Sequence, residues 1–203
     1  MKSLCRVWVL YLVENKKIVM VGIPGVGKTT LLSKMVEIIK KRHKSVLVIS
    51  FGTLMFEIAQ KNGLKDRDEL RKLPVTKQQE LQRLVAERIA AQTEQIIIID
   101  THTFINSPGG YYPGLPENVL KIIKPTNFVS VTAKPEEIYN RRMKDDSRNR
   151  DKITIANIKK ELDIQSGMIS ACSIITGSPV KHVLNREGKI DETTDKIINA
   201  IGV

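Results

Sequence analysis

From Lys16 to the end of the chain, short apolar runs alternate with amphipathic stretches. Ile18-Val19-Met20-Val21 is an uninterrupted apolar run ending at Gly22, the pattern of a strand buried on both faces. Leu32, Met35, Val36 and Ile39 recur on one helical face and predict a helix from Leu31 to His43. Val46 to Phe51 predicts a second strand, followed by short helices over Thr53–Asn62 and Lys65–Lys72 that part at Asn62-Gly63. A longer helix spans Thr76 to Gln95, with Leu81, Leu84, Val85 and Ile89 turned inward. Ile96-Ile97-Ile98-Ile99-Asp100 is the clearest buried strand, and the Gly- and Pro-rich stretch Ser107–Pro116 reads as a loop. Phe128–Thr132 and Val180–Leu184 complete the strands; Pro135–Lys144, about Thr154–Thr176 and Asp191–Ile201 complete the helices.

Apolar strands alternating with helices mean a parallel sheet covered on both faces. The expected fold is therefore α/β, three layers around five parallel strands, with ligands at the carboxyl ends of the strands. Length agrees: 203 residues make one domain of ordinary size, and neither an internal repeat nor a low-complexity tract interrupts it. We place that domain at residues 16–203, preceded by an extension over 1–15. Val7 to Val13 in that extension is apolar but far short of the roughly 20 residues that span a bilayer. Arg6 and the lack of a small-residue cleavage pattern argue against a signal peptide. The run reads as a strand or as an apolar strip packed on another surface.

Composition narrows the chemistry. Hydrophobic residues at 41% and charged residues at 27% exclude a disordered or collagen-like chain. Cys5 and Cys172 are the only cysteines, which excludes a disulfide framework and a cysteine-built zinc site and suits the cytoplasm. The net charge of +11 fits polyanions: nucleic acid, a membrane surface, or small nucleotides. With aromatics at 4%, single-strand stacking platforms are poorly supplied.

Gly22-Ile23-Pro24-Gly25-Val26-Gly27-Lys28-Thr29 fits G-x-x-x-x-G-K-[ST], with a strand before it and a helix after it. Glycines let the backbone wrap around phosphate, and the helix offers its positive N-terminus to the same anion. Lys28 adds a full charge at the β- and γ-phosphates of a nucleotide, and Thr29, followed by Thr30, brings a hydroxyl for Mg²⁺. Asp100 ends its strand as the Mg²⁺-associated carboxylate of such proteins does, although an aspartate there also serves as an ordinary turn residue. His102, two residues on, is a candidate ligand or a hydrogen-bonded structural residue.

Arg141, Arg142, Arg148 and Arg150 lie between Tyr139 and Lys152, interleaved with Asp145, Asp146 and Asp151. Such a run is a solvated helix face, the reading that suits Arg142, or a mobile cover. A cover over about 139–152 would neutralise transferring charge through Arg141, Arg148 and Arg150 and exclude water.

Together these segments resemble the archaeal-type adenylate kinases, a branch of the phosphate-loop nucleoside monophosphate kinases. The resemblance rests on Gly22–Thr30, Phe51–Glu57, Asp66–Leu73, Asp100-Thr101-His102, Pro108 with Gly110–Pro116, and Asp145–Arg150. It implies ATP + AMP ⇌ 2 ADP with Mg²⁺, and often a trimeric assembly; no zinc is expected, on the cysteine count. An acceptor phosphate is largely ionised near neutral pH and needs no general base, only cations to bring two polyanions together. Arg67 and Arg71 stand i,i+4 on the predicted helix in the stretch, about 53–75, where such kinases hold the acceptor. Thr53, His102 and Tyr111 are the further acceptor-side candidates. A phosphate-loop kinase for another acceptor, or a nucleotide-switched assembly factor that binds RNA, stands as the alternative.

Overall fold

The computed structural model describes residues 15–67, 69–107, 109–144 and 154–203. In chain order its elements are β1 (Lys16–Val21), α1 (Lys28–Lys41), β2 (Val46–Ser50), α2 (Phe51–Lys61), α3 (Glu69–Lys72) and α4 (Val75–Ala90). Then come β3 (Ile96–Thr101), β4 (Phe104–Ser107), β5 (Gly110–Pro113), α5 (Glu117–Ile123) and β6 (Asn127–Thr132). The last are α6 (Pro135–Met143), α7 (Ile155–Thr176), β7 (Val180–Leu184) and α8 (Ile190–Ala200).

Five strands form one parallel sheet in the order β2-β3-β1-β6-β7. Because successive strand residues face opposite sides, the continuous apolar runs feed two separate cores. Ile18, Met20, Ile96 and Ile98 pack with Leu31, Met35 and Ile39 of α1 and with Ile197 and Ile198 of α8. Val19, Val21, Ile97 and Ile99 face the other way, onto α2, α4 and α5 through Leu54, Val85, Ile89 and Leu120. All eight of these strand side chains are fully buried. At about 1.5–3 kcal/mol for each buried aliphatic side chain, they hold the central strands firmly. This is the expected three-layer α/β fold.

α7 runs past both cores, giving Ile158 to the first and Ile169 and Cys172 to the second. Its ends are well defined. The Thr154 hydroxyl accepts from the Asn157 N–H at 3.1 Å, and Gly177 closes the helix in the left-handed conformation at φ 69°.

Three sequence readings need correction. Ser107–Pro116 is not simply a loop: β4 and β5 pair antiparallel, Ser107 opposite Gly110 and Phe104 opposite Pro113. Directly after it α5 forms, a short helix whose inner residues Val119, Leu120 and Ile123 give too little pattern to be read alone. The helix expected over Lys65–Lys72 is confined to the four residues of α3. In α4 the expected inner residue Leu84 is only half-buried, and Gln82 lies inside instead, donating from Nε2 to the Pro113 carbonyl at 3.3 Å.

Among the described residues, no helix is long and apolar enough to cross a membrane. Of the extension placed at residues 1–15, residues 1–14 lie outside the described residues.

Cys172 is a core residue, and burial pushes its thiol pKa up from 9.0 to about 11. Two pKa units mean about 100-fold less thiolate at pH 8. Peptide-resolved labelling with a thiol reagent at that pH should leave Cys172 unmodified in the native protein and modify it fully in denaturant. Labelling at the rate of a free thiol would place it on the surface.

Candidate functional site

Parallel register lines up the strand ends that carry the candidate residues. Met20 and Ser50 are both opposite Asp100, and Val21 is opposite Thr101. The phosphate loop leaves β1 on one side of Asp100, and α2 leaves β2 on the other. Asp100, next to last in the strand between them, stands between two loop regions at the carboxyl edge of the sheet, where open α/β folds bind ligands.

The loop is anchored by its apolar members: Ile23 and Val26 are buried in the α1-side core. Lys28 opens α1 and is 9% exposed. Its Nζ donates to the Thr101 carbonyl at 2.7 Å and lies 2.9 Å from Asp100 Oδ1. Burial pulls the Lys28 pKa below the usual lysine range, while the charge and hydrogen bond of Asp100 pull it back up. Thr29 and Thr30 are exposed in the first turn of α1.

Three consecutive carbonyls on the loop are held by side chains from elsewhere in the fold. Arg142 Nε donates to Pro24 O at 2.8 Å, Arg141 Nη1 to Gly25 O at 3.3 Å, and Asn185 Nδ2 to Val26 O at 2.8 Å. In a trans peptide the N–H points opposite to the carbonyl. Fixing these carbonyls therefore fixes the directions of the Gly25, Val26 and Gly27 N–H groups. Close packing adds a demand at Gly27. Its φ is 87°, and a Cβ there would overlap Asn185 Nδ2, so only glycine fits.

Arg142 is not the solvated residue expected from sequence. It is 7% exposed, and Nη2 pairs with Glu161 Oε2 at 2.6 Å. Arg141 also pairs within its helix, with Glu137 at 3.2 Å. Arg148 and Arg150 lie outside the described residues. Asn185 follows β7 and carries no motif; nothing in the local sequence marks it.

On the β2 side, Thr53 is exposed in the first turn of α2 and donates to Ser50 Oγ at 3.1 Å. Arg67 Nη2 lies 3.0 Å from where a Cβ on Gly52 would stand, so its guanidinium rests over that same turn. Arg67 is in the turn ahead of α3, so it shares no helical face with Arg71, contrary to the sequence reading. The side chain of Arg71 lies outside the described residues. His102 is exposed just past β3. Tyr111, on β5, is half-buried: Phe104 meets it edge-on at 5.1 Å between centroids, and Lys160 Nζ lies 5.8 Å from its ring. These contacts explain Tyr111 as a support of the hairpin.

The donor set suits Mg²⁺ delivered with a nucleotide. Thr29 and Asp100 offer hard oxygen ligands, and the Asp100 side chain keeps 26% exposure. Among the described residues no cluster of three His, Cys, Asp or Glu could cage a metal. Mg²⁺ typically takes one or two protein ligands and completes its shell with water and phosphate.

A family model described as an AAA domain matches residues 21–159. Over 190 residues the chain is 38% identical to a protein of Methanocaldococcus jannaschii named adenylate kinase, covering 93% of this chain and 99% of that one. An adenylate kinase of Thermoplasma acidophilum is 39% identical over 91% of this chain and 98% of its own length. Among solved structures, shikimate kinase from Bacteroides thetaiotaomicron superimposes with a TM-score of 0.59 at 14% identity, covering 93% of this chain and 99% of that one. At that identity the likeness concerns the fold alone.

Proposed function

The chain belongs to the adenylate kinase family and carries its AAA-type domain, and from that membership we propose that it catalyses ATP + AMP ⇌ 2 ADP through the residues around Asp100. It is a phosphotransferase. The observation that carries the residue assignment is the strand register: the ends of β1 and β2 flank Asp100, so two polyanions can meet over one strand end.

ATP is assigned to the loop Gly22–Thr30. Backbone N–H groups surround its phosphates, and the Lys28 ammonium neutralises negative charge on the β- and γ-phosphate oxygens as the bond from the γ-phosphorus to the bridging oxygen breaks. Asp100 and Thr101 orient Lys28 before substrate arrives, which lowers the reorganisation needed at the transition state. Thr29 and Asp100 would hold Mg²⁺, directly or through water, and the bound ion would supply further charge neutralisation. AMP is assigned to the region of about 53–75, with Arg67, Arg71 and Thr53 as contacts and His102 and Tyr111 bordering it. Its phosphate attacks already ionised, so no side chain removes a proton. Arg141, Arg148 and Arg150 are assigned to the transferring charge over about 139–152. A cytoplasmic setting and a homo-oligomer, a trimer by family resemblance, complete the reading.

A coupled assay over a panel of acceptors with ATP as donor tests this. ADP formation should depend on AMP, and phosphate release without acceptor should be negligible. Arg67→Ala should raise the KM for AMP about 10- to 100-fold, the weight of one charged hydrogen bond, and leave the KM for ATP within about twofold of wild type. Equal changes in both constants would remove Arg67 from the acceptor side. Acceptor-independent hydrolysis with salt-sensitive RNA affinity would favour the assembly-factor reading.

A further inference from the structure

Arg142 stands beside the phosphate loop, yet its guanidinium is already committed. Nε is used by the Pro24 carbonyl at 2.8 Å and Nη2 by Glu161 at 2.6 Å. The arginine side chain is 6% exposed and that of Glu161 26%. Glu161 belongs to α7 and Arg142 to α6, so the pair ties two helices to one peptide of the loop. Side-chain packing tightens the same junction: a Cβ on Gly25 would stand 3.2 Å from Arg142 Cγ and 3.2 Å from Ile138 Cγ2.

We propose that Arg142, braced by Glu161, is a positioning residue for the donor phosphates: it touches the loop and not the anion. Neutralised by Glu161 and bonded to Pro24 O, the guanidinium has its strongest interactions directed at protein groups. The peptide joining Pro24 to Gly25 is thereby held with its carbonyl toward Arg142 and its N–H on the opposite edge, toward the phosphates. Among the described residues Glu161 reaches the loop through Arg142. Without it the buried guanidinium would lack a counter-charge and would be drawn toward the nucleotide, releasing Pro24 O. Lysine cannot replace Arg142, because a single ammonium lacks the two divergent donors that reach both partners. The inference rests on the assignment of donor phosphates to Gly22–Thr30.

The test uses the full chain and two readouts: calorimetric binding of inorganic tripolyphosphate, and the KM values for ATP and AMP. Arg142→Met should weaken tripolyphosphate and raise the KM for ATP, each by about tenfold or more, the effect expected from losing a charge-assisted hydrogen bond. The KM for AMP should stay within about twofold. Arg142→Lys should show the same loss. Glu161→Gln should show a smaller one, and should add nothing in the Arg142→Met background, because residues acting as a unit are non-additive. Unchanged tripolyphosphate affinity with only a lowered melting temperature would overturn the proposal. So would full recovery in Arg142→Lys, or additive effects of the two positions. Should Arg142→Met fail to fold, Arg142→Lys and Glu161→Gln decide it by the same criteria. Tripolyphosphate binding needs no acceptor, so a wild-type protein that binds it without making ADP from AMP would refute the proposed reaction while leaving the brace to be judged.

Discussion

Lys28→Ala is expected to lower kcat by about 100- to 1000-fold, the range found when a single preorganised group at a reacting centre is removed. Two features of the structure set that size. Lys28 is nearly buried, so its charge acts where water screens poorly. It is also held from two directions, by Thr101 O at 2.7 Å and Asp100 Oδ1 at 2.9 Å, so its position is set before the nucleotide binds. Truncation leaves the buried Asp100 Oδ1 without its cation, but the space the lysine vacates beside this partly exposed side chain gives water room to replace it. The fold should therefore survive, with circular dichroism unchanged while the coupled ADP assay falls to background. Lys28→Arg should fail as well, since the larger planar guanidinium does not fit a site that leaves the lysine 9% exposed. A kcat above about a tenth of wild type in Lys28→Ala would remove Lys28 from the reaction, by the same measure.

Gly27→Ala is the second large effect, and it arises from shape rather than charge. A side chain at φ 87° is strained, by about 1–2 kcal/mol. The new methyl would also displace Asn185 Nδ2, releasing the buried Val26 carbonyl at a cost of about 1–3 kcal/mol. The two together amount to about 2–5 kcal/mol, a loss of at least about 30-fold in ATP affinity if it falls mainly on the anion-binding form. The melting temperature should fall too. Gly167→Ala is the control. That helical glycine has nothing within 4 Å of an added Cβ, so alanine should stabilise α7 by about 0.5–1 kcal/mol and leave ATP binding untouched. Native affinity for ATP in Gly27→Ala would mean that the loop tolerates a side chain where the packing says it cannot. Restoring room with Asn185→Ala in the Gly27→Ala background should recover little, because Val26 O remains unpaired and φ remains strained.

Features carried by neighbouring residues were legible from the sequence. Four isoleucines in a row have no polar face to present, so Ile96–Ile99 had to lie inside a sheet covered on both sides, and they do. Leu32, Met35 and Ile39 repeat at the helical period, so α1 was determined by pattern alone. The phosphate loop was legible for the same reason, because its chemistry depends on glycines and a lysine at fixed offsets along one stretch of chain. Other features depended on how distant segments meet. β4 and β5 are only four residues each, and it is their pairing that makes them strands, so a Gly- and Pro-rich stretch read as a loop. Arg142 looked like one charge among many on a surface helix. Only the packing of α6 against the loop and α7 buries it, between Pro24 O and Glu161. Asn185 shows the difference most plainly. It lies 159 residues from Val26, and it reaches that carbonyl because β7 joins the sheet beside β6, two strands from β1. Local composition therefore determined the five strands of the main sheet, the longer helices and the phosphate loop, but not β4, β5 or α5. The sheet order, through parallel register and side-chain burial, decided which residues hold that loop in shape.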